Sequence, residues 1–123
     1  MTWWSSWVHS DRVSASGPAA ATTDQVPSSS RWLSADLRGD ARLYRVGGDE
    51  LAVLLPADEA EVGPVAARLV EAARRVRTTV SIGAAIIGPQ TPEVARLRAD
   101  RALYRAKSAG RDRYLLAGAQ DAV

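Results

Sequence analysis

A glycine pair followed by two carboxylates, Gly47-Gly48-Asp49-Glu50, joins two segments that both have the pattern of a strand. Before it, Arg42 to Val46 can run extended. After it, Leu51 to Leu55 is an apolar run that ends at Pro56, which is typical of a strand buried on both faces. Because both glycines tolerate positive φ, the segment predicts a β-hairpin that turns at Gly47-Gly48 and continues into a central, nearly fully buried strand.

The two acids at the tip of this hairpin, Asp49 and Glu50, are adjacent, so their like charges repel. Hard cations such as Mg²⁺ are bound by carboxylate oxygens, and the preceding glycines leave room for a phosphate-bearing ligand to approach the backbone. The alternative is a solvent-exposed turn that is acidic for no chemical reason. The tetrapeptide alone favours neither interpretation, because short motifs also occur by chance.

The composition indicates one small globular domain, since the chain has 123 residues of which 46% are hydrophobic. There is no cysteine, which excludes a disulfide framework and a thiol nucleophile, and the only histidine, His9, has no recognisable catalytic partner. The net charge is +2 and the arginines are spread along the chain, so no nucleic-acid partner is expected. No apolar stretch could cross a bilayer and no signal peptide is evident, so we expect a cytoplasmic protein without a membrane partner.

Three regions differ in character along the chain. Residues 1–30 combine a tryptophan-rich start with a stretch rich in Ser, Ala, Thr, Pro and Gly, and we expect this segment to be partly disordered. Residues 31–118 have regular patterns of apolar residues and are expected to form the domain. Residues 119–123 are expected to be a short tail.

Two helices are predicted after the hairpin. The first covers Asp58 to Arg77, with acids near its start and arginines near its end, as the helix macrodipole favours. Gly63-Pro64 lies inside that span, so its first turn could be irregular or the helix could begin at Pro64. The second opens at Thr91-Pro92, an N-cap residue and a first-turn proline, and runs to about Ala109, with Gly110 placed for a left-handed C-cap.

Two further strands complete the pattern. Thr79 to Ile87 is apolar and rich in β-branched residues, and Tyr114 to Leu116 is suited to a short edge strand. The order from the hairpin onward is therefore strand, strand, helix, strand, helix, strand. It predicts an α+β fold with one sheet and with helices packed mainly on one face.

Three motifs in this order resemble the GGDEF family of diguanylate cyclases. They are the Gly-Gly-Asp-Glu hairpin, the segment Thr79 to Ala85 and the segment Ala99 to Arg111. The resemblance extends over roughly Leu33 to Leu116, and it implies a ferredoxin-like or palm-type, antiparallel-rich sheet. It further implies a domain of cyclic di-GMP signalling, in which two GTP molecules are joined into cyclic di-GMP with release of pyrophosphate. In the family the two GTP sites face each other across a homodimer.

The resemblance also assigns roles to the acids of the hairpin. Asp49 matches a carboxylate that binds the catalytic Mg²⁺ or Mn²⁺. Glu50 matches the neighbouring acid, which is associated with the metal and with activation of the ribose 3′-hydroxyl. These two residues are the candidate catalytic and metal-binding residues of the chain.

Four more residues match positions that hold the substrate in the family. Gly47 and Gly48 match the turn that lies close to the nucleotide, and Lys107 and Arg111 match cations that hold the triphosphate. The two cations are four residues apart near a helix C-terminus, so they can reach toward one ligand. The alternative is that both are solvated cations that complement the helix dipole.

The N-terminal third departs from the family. An active member has an earlier strand with an Asp-x-Asp pattern whose first acid binds metal, and that strand should fall near Thr2 to His9. This chain has Trp7-Val8-His9 where the acids belong and Ala15 near the asparagine that reads guanine, and only Asp24 could remain from a later Gly-Asp pair that contributes to substrate binding. The inhibitory Arg-x-x-Asp pattern is also incomplete, since Arg38-Gly39-Asp40 is one residue short.

Three hypotheses about activity follow. The chain could be a working cyclase, a degenerate domain that binds a nucleotide or a protein partner without catalysis, or a truncated remnant. A missing metal acid and a missing guanine-reading amide predict impaired catalysis. The fold raises a related question, because the strand near Thr2 to His9 should be central in the sheet, and without it two strands would lack their shared neighbour.

Overall fold

The computed structural model describes residues 3–10, 19–20, 37, 41–47, 50–56, 58–87 and 91–123. Its elements in chain order are β1 (Trp3–Ser10), β2 (Ala19–Ala20), β3 (Arg42–Gly47), β4 (Glu50–Pro56), α1 (Glu59–Arg75), β5 (Val80–Ile87), α2 (Pro92–Ser108), β6 (Arg113–Leu116) and a 3₁₀ helix, Ala119–Asp121. The strands form one six-stranded sheet in the order β2-β3-β4-β1-β5-β6. Four of its five strand pairings are antiparallel and β5 with β6 is parallel. The α+β fold class with an antiparallel-rich sheet is confirmed.

The tryptophan-rich segment fills the central position of the sheet. β1 pairs antiparallel with β4 on one side and with β5 on the other, over its whole length. The chain therefore supplies the strand that the family requires between these two, even though its sequence departs from the family pattern there. No unpaired strand edge is left between β4 and β5.

The predicted hairpin is present, but its turn is not centred on Gly47-Gly48. β3 pairs antiparallel with β4 and includes Gly47, which is the register partner of Glu50, so the turn lies between these two residues; the register shifts between Arg45 and Gly47. Leu51, Val53 and Leu55 are exposed to only 1%, 0% and 1%, so the prediction of a central, buried β4 is confirmed. Leu51 stands where the family usually has an aromatic residue, and its burial shows that leucine serves the same core position.

Helix α1 settles the choice between the two predicted starts. Asp58 precedes it with an extended backbone, and the helix begins at Glu59 and continues through Pro64. Proline has no N–H to donate to the Ala60 carbonyl one turn earlier, so the helix lacks one backbone hydrogen bond in its second turn. Arg74 and Arg75 lie in the last turn, where cations complement the macrodipole.

The two described helices cover opposite faces of the sheet, which corrects the prediction that helices pack mainly on one face. Ile82 and Ala84 belong to a buried cluster with the apolar side of α1, whereas Ala85 belongs to a cluster with Ala95 and Ala99 of α2. Successive side chains of a strand point to opposite faces. β5 buries apolar residues on both of its faces, with Ile82 and Ala84 toward α1 and Ala85 toward α2, which agrees with a helix on each side.

Gly83 marks the closest approach of α2 to the sheet. A Cβ atom at this position would lie 2.1 Å from the Ala99 carbonyl oxygen and 2.3 Å from the Leu103 amide nitrogen. Only glycine leaves the backbone of α2 room to sit this close to β5. The glycine of the Ser81-Ile82-Gly83 motif is therefore a packing residue of the fold.

The last residues of the chain are bound to α2. Asp121 is only 1% exposed, and Arg105 of α2 donates from Nε to Oδ1 of its carboxylate at 2.9 Å. The amide of Gly118 donates to Oδ2 of the same carboxylate at 2.9 Å. These hydrogen bonds, that from Arg105 first, lower the pKa of Asp121 below its ordinary value. Residues 119–123, which were predicted to be a tail, are thus bound to α2 through the ion pair between Asp121 and Arg105.

No helix in the described part of the chain is long and apolar enough to span a membrane.

Candidate functional site

One end of the sheet brings the described candidate residues together. β1 and β3 end there, while β4, β5 and β6 all begin there. The backbone register forms a single row across five strands: Gly47, Glu50, His9, Ser81 and Arg113 are successive partners. This row, which we call the site edge, forms the floor of the candidate site.

Helix α2 brings Lys107 to the site edge. β5 runs away from this edge and α2 returns to it, with the Leu103 backbone against Gly83. Lys107 lies one turn beyond Leu103, about 6 Å along the helix. That distance is close to the roughly 6.6 Å between Gly83 and Ser81 along the strand. Measured along β5, the partly buried Lys107 therefore lies level with the site edge, the row that contains Glu50.

The position of Arg111 is set by the way α2 ends. Gly110 has φ 118°, as predicted for a left-handed C-cap, and its amide donates to the Lys107 carbonyl while the Arg111 amide donates to the Ala106 carbonyl at 3.0 Å. This pair of bonds is a Schellman motif, which satisfies two carbonyls at the helix end. It directs the chain back toward β6 and places the exposed Arg111 at the site edge.

The turn after α2 is strained. Arg111 and Asp112 have φ of 64° and 50°, so three consecutive residues from Gly110 adopt left-handed backbone conformations. Non-glycine residues in this region cost about 1–3 kcal/mol each and persist only where surrounding contacts hold them. A candidate phosphate-binding residue therefore sits in a backbone conformation that other parts of the fold must maintain.

One such contact comes from α1. The Arg74 guanidinium donates from Nε to Oδ1 and Oδ2 of Asp112 at 3.0 and 3.1 Å, and from Nη2 to the Asp112 carbonyl oxygen at 3.3 Å. The pKa of Arg74 is raised, first by this hydrogen bond and then by the charge of Asp112. Sequence reasoning missed this contact, because its two residues are separated by 38 positions.

The remaining predicted residues are placed only in part. Asp24, Gly48 and Asp49 lie outside the described residues. Glu50 is placed as the first residue of β4, with His9 of β1 as its register partner. In the part of the chain that the structure describes, no group of three or more His, Asp or Glu side chains could hold a metal ion.

The residue types at the site edge fit a magnesium site only partly. Mg²⁺ and Mn²⁺ favour oxygen donors, which Glu50 and Asp49 offer. The neighbouring position in β1 is His9, whose imidazole belongs to a different class of ligand. A carboxylate at that position would have been the better donor for either metal.

Comparison with known proteins places these features in context. A profile of the family described as "Diguanylate cyclase, GGDEF domain" matches residues 23–113. Diguanylate cyclase DgcP of Pseudomonas aeruginosa is 40% identical in an alignment 82 residues long, which covers 58% of this chain and 12% of that protein. The chain thus spans about one eighth of the length of this relative.

Solved structures show the same fold. The GGDEF domain of YfiN, also called TpbB, from Pseudomonas aeruginosa superimposes with a TM-score of 0.73 at 22% identity, over 95% of this chain and 83% of that one. Diguanylate cyclase SiaD of the same organism, solved in complex with its activator SiaC, superimposes with a TM-score of 0.74 at 25% identity, over 94% of this chain and 50% of that one.

Proposed function

The chain belongs to the GGDEF family of diguanylate cyclase domains, and from this we propose that it binds metal-bound GTP at the site edge but is impaired in forming cyclic di-GMP. The observation that carries the proposal is the arrangement of that edge. Lys107 and Arg111 arrive from α2 at the level of Glu50, while the position beside Glu50 in β1 is His9. The cations that would bind the phosphates are thus retained, whereas a histidine takes the place of a carboxylate that would bind the metal.

Binding would rest on the two cations. Lys107 acts as a point charge on a flexible stem and Arg111 as a planar donor fork, and both suit phosphate oxygens. The glycines at the hairpin tip let the nucleotide approach the backbone. Asp49 and Glu50 would hold a metal ion, which, when bound, neutralises phosphate charge.

Catalysis would be limited by the metal acids and by the base pocket. Each carboxylate offsets part of the cost of dehydrating Mg²⁺ or Mn²⁺, so a site with one acid fewer binds the ion more weakly. Nothing in the sequence replaces the asparagine that reads guanine. Joining two GTP molecules also needs two such sites to face each other in a homodimer, so a deficit in each subunit affects the product twice.

We expect the chain to make little or no cyclic di-GMP from GTP with Mg²⁺ or Mn²⁺. The measurement is product formation by chromatography over hours, with thermal melting of the same preparation to show that the protein is folded. Turnover near about ten per second, the median for enzymes, would contradict the proposed impairment.

We also expect binding of metal-bound GTP to be weak and to differ little from binding of ATP, because the phosphate contacts do not read the base. Replacing both Lys107 and Arg111 by alanine should weaken binding at least about tenfold, since two charge-assisted contacts are lost. The measurement is a titration of GTP and ATP against the parent and the Lys107→Ala/Arg111→Ala variant.

The matched control removes two other arginines from the helices, Arg68→Ala with Arg96→Ala, so that the net charge changes equally away from the site edge. This variant should bind within about twofold of the parent. Equal loss in both variants would mean that only net charge matters. A strong preference for GTP would reveal a guanine pocket and would favour a working cyclase.

A further inference from the structure

The turn Gly110-Arg111-Asp112 is tied to the last turn of α1 by the Arg74 side chain. Arg74 holds the carboxylate of Asp112 through Nε at 3.0 and 3.1 Å and the carbonyl of Asp112 through Nη2 at 3.3 Å. We propose that Asp112, clamped by Arg74, is a positioning residue that fixes Arg111 for binding nucleotide phosphates. The proposal rests on the proposed function and assigns neither residue a contact with the nucleotide.

The backbone explains why a clamp is needed. Arg111 and Asp112 both have left-handed φ, at 64° and 50°, which non-glycine residues adopt only when surrounding contacts hold them there. The Schellman bonds fix the residues up to the Arg111 amide, and β6 begins at Arg113. Arg111 and Asp112 therefore link two fixed points, and the contacts of Asp112 help to hold the backbone from which the Arg111 side chain extends.

The clamp also joins the two layers of the fold. α1 and α2 lie on opposite faces of the sheet, and both end at the site edge. A contact from the last turn of α1 to the turn after α2 crosses this edge and couples the two helix ends. Three hydrogen bonds from one guanidinium to both the side chain and the backbone of Asp112 restrict rotation of the peptide as well as of the carboxylate.

The carbonyl of Arg111 is also engaged. The Arg113 guanidinium donates from Nε to the Arg111 carbonyl at 2.8 Å, and Arg74 donates to the Asp112 carbonyl, so the peptide groups before and after Asp112 each accept a side-chain hydrogen bond. The Asp112 carboxylate itself is about one third exposed, and the Arg74 side chain is half exposed. Neither group is buried in the core. Removing either one should therefore affect the position of Arg111 more than the stability of the fold.

Charge and positioning predict opposite outcomes for one variant, which makes the test sharp. Asp112→Ala removes a negative charge beside Arg111, so simple electrostatics predicts tighter binding of a polyphosphate. Positioning predicts weaker binding. We expect the affinity for inorganic tripolyphosphate with Mg²⁺ to fall about threefold to tenfold, because Arg111 then samples more orientations.

Arg74→Ala should weaken tripolyphosphate binding by a similar factor, and the Arg74→Ala/Asp112→Ala double variant should be no worse than either single one, because both remove the same clamp. Asp112→Asn should stay within about twofold of the parent, since asparagine tolerates left-handed φ and its Oδ1 still accepts from Arg74. Arg75→Ala, which removes a neighbouring arginine of α1, is the control and should also stay within about twofold.

Measurements in an Arg111→Ala background separate this proposal from the proposed function. If Arg111→Ala alone leaves tripolyphosphate binding unchanged, the role of Arg111 in the proposed function fails. If Arg111→Ala weakens binding but Asp112→Ala strengthens it or leaves it unchanged, only the positioning role is overturned. If both weaken binding and Asp112→Ala has no further effect once Arg111 is gone, the positioning role is supported. Thermal melting of each variant shows whether a loss of binding comes from unfolding. If Asp112→Ala melts early, Arg74→Ala still tests the proposal, because residue 74 is exposed and alanine is the residue that most favours a helix.

Discussion

Replacing Gly83 by alanine is expected to destabilise the domain by about 3 kcal/mol or more, the upper range for overpacking a core. The added Cβ would lie 2.1 Å from the Ala99 carbonyl oxygen, 2.3 Å from the Leu103 amide nitrogen and 2.8 Å from the Leu103 Cα. All three are backbone atoms of α2, so no side-chain rotation can relieve the contact. The helix must move away from β5, and it carries Lys107 and Arg111 with it.

The measurement is urea unfolding of the parent and of Gly83→Ala, with tripolyphosphate titration of the same proteins. Gly63→Ala is the matched control, because it adds the same methyl group inside α1, where the nearest atom is the Tyr114 hydroxyl at an ordinary 3.7 Å. Alanine is favoured over glycine inside a helix by about 0.5–1 kcal/mol, so this control should be stabilised. If Gly83→Ala unfolds within about 1 kcal/mol of the parent, the packing assigned to this motif is wrong.

Local patterns predicted the elements that depend on neighbours in sequence. The Gly-Gly pair between an extended segment and an apolar run predicted the hairpin, and the unbroken apolar run predicted the burial of Val53 and Leu55. Thr91 was expected to cap α2, and its side chain accepts from the Val94 amide. Gly110 was expected at a left-handed C-cap, and its φ is positive. These features involve residues within a few positions of each other, so the sequence carries their whole cause.

The arrangement of elements in space was harder to predict. The order of strands and helices does not say which face a helix covers. The apolar residues on both faces of β5 are compatible with a helix on each side, but only the buried clusters show that α1 and α2 take opposite faces. The two arginine contacts, Arg74 with Asp112 and Arg105 with Asp121, join residues 38 and 16 positions apart. Nothing local distinguishes these arginines from the others in the chain.

The candidate site was predicted through the family resemblance and then placed by the topology. Lys107 and Arg111 belong to a motif whose purpose the sequence alone does not reveal. The return of α2 to the edge where β4 begins brings Lys107 to the level of Glu50. Asp24, Gly48 and Asp49 lie outside the described residues, and the roles of all the candidate site residues stay predictions.

Removing the charge of Asp121, which forms an ion pair with Arg105, is expected to destabilise the domain. Asp121 is 1% exposed, it is paired with Arg105, and it accepts a hydrogen bond from the Gly118 amide. Asp121→Asn keeps one acceptor but removes the charge, and it leaves the Arg105 guanidinium with a neutral partner in a partly buried place. We expect a loss of about 2–3 kcal/mol in the free energy of unfolding at pH 7, as for hydrogen bonds to charged groups.

The pH dependence of that loss identifies its cause. The pKa of Asp121 is lowered in the folded state, first by the hydrogen bond from Arg105, so the unfolded state binds more protons as the solution is acidified. The stability that the carboxylate contributes is therefore fully present above its unfolded pKa and is lost as the pH falls through the lowered folded value. The difference between the parent and Asp121→Asn should be constant from about pH 7 to pH 5 and should shrink below about pH 4. Asp100→Asn, which removes an exposed carboxylate of α2, should stay within about 0.5 kcal/mol of the parent at neutral pH. If the Asp121→Asn deficit persists unchanged at pH 3, the charge of this carboxylate is not what binds the end of the chain to α2.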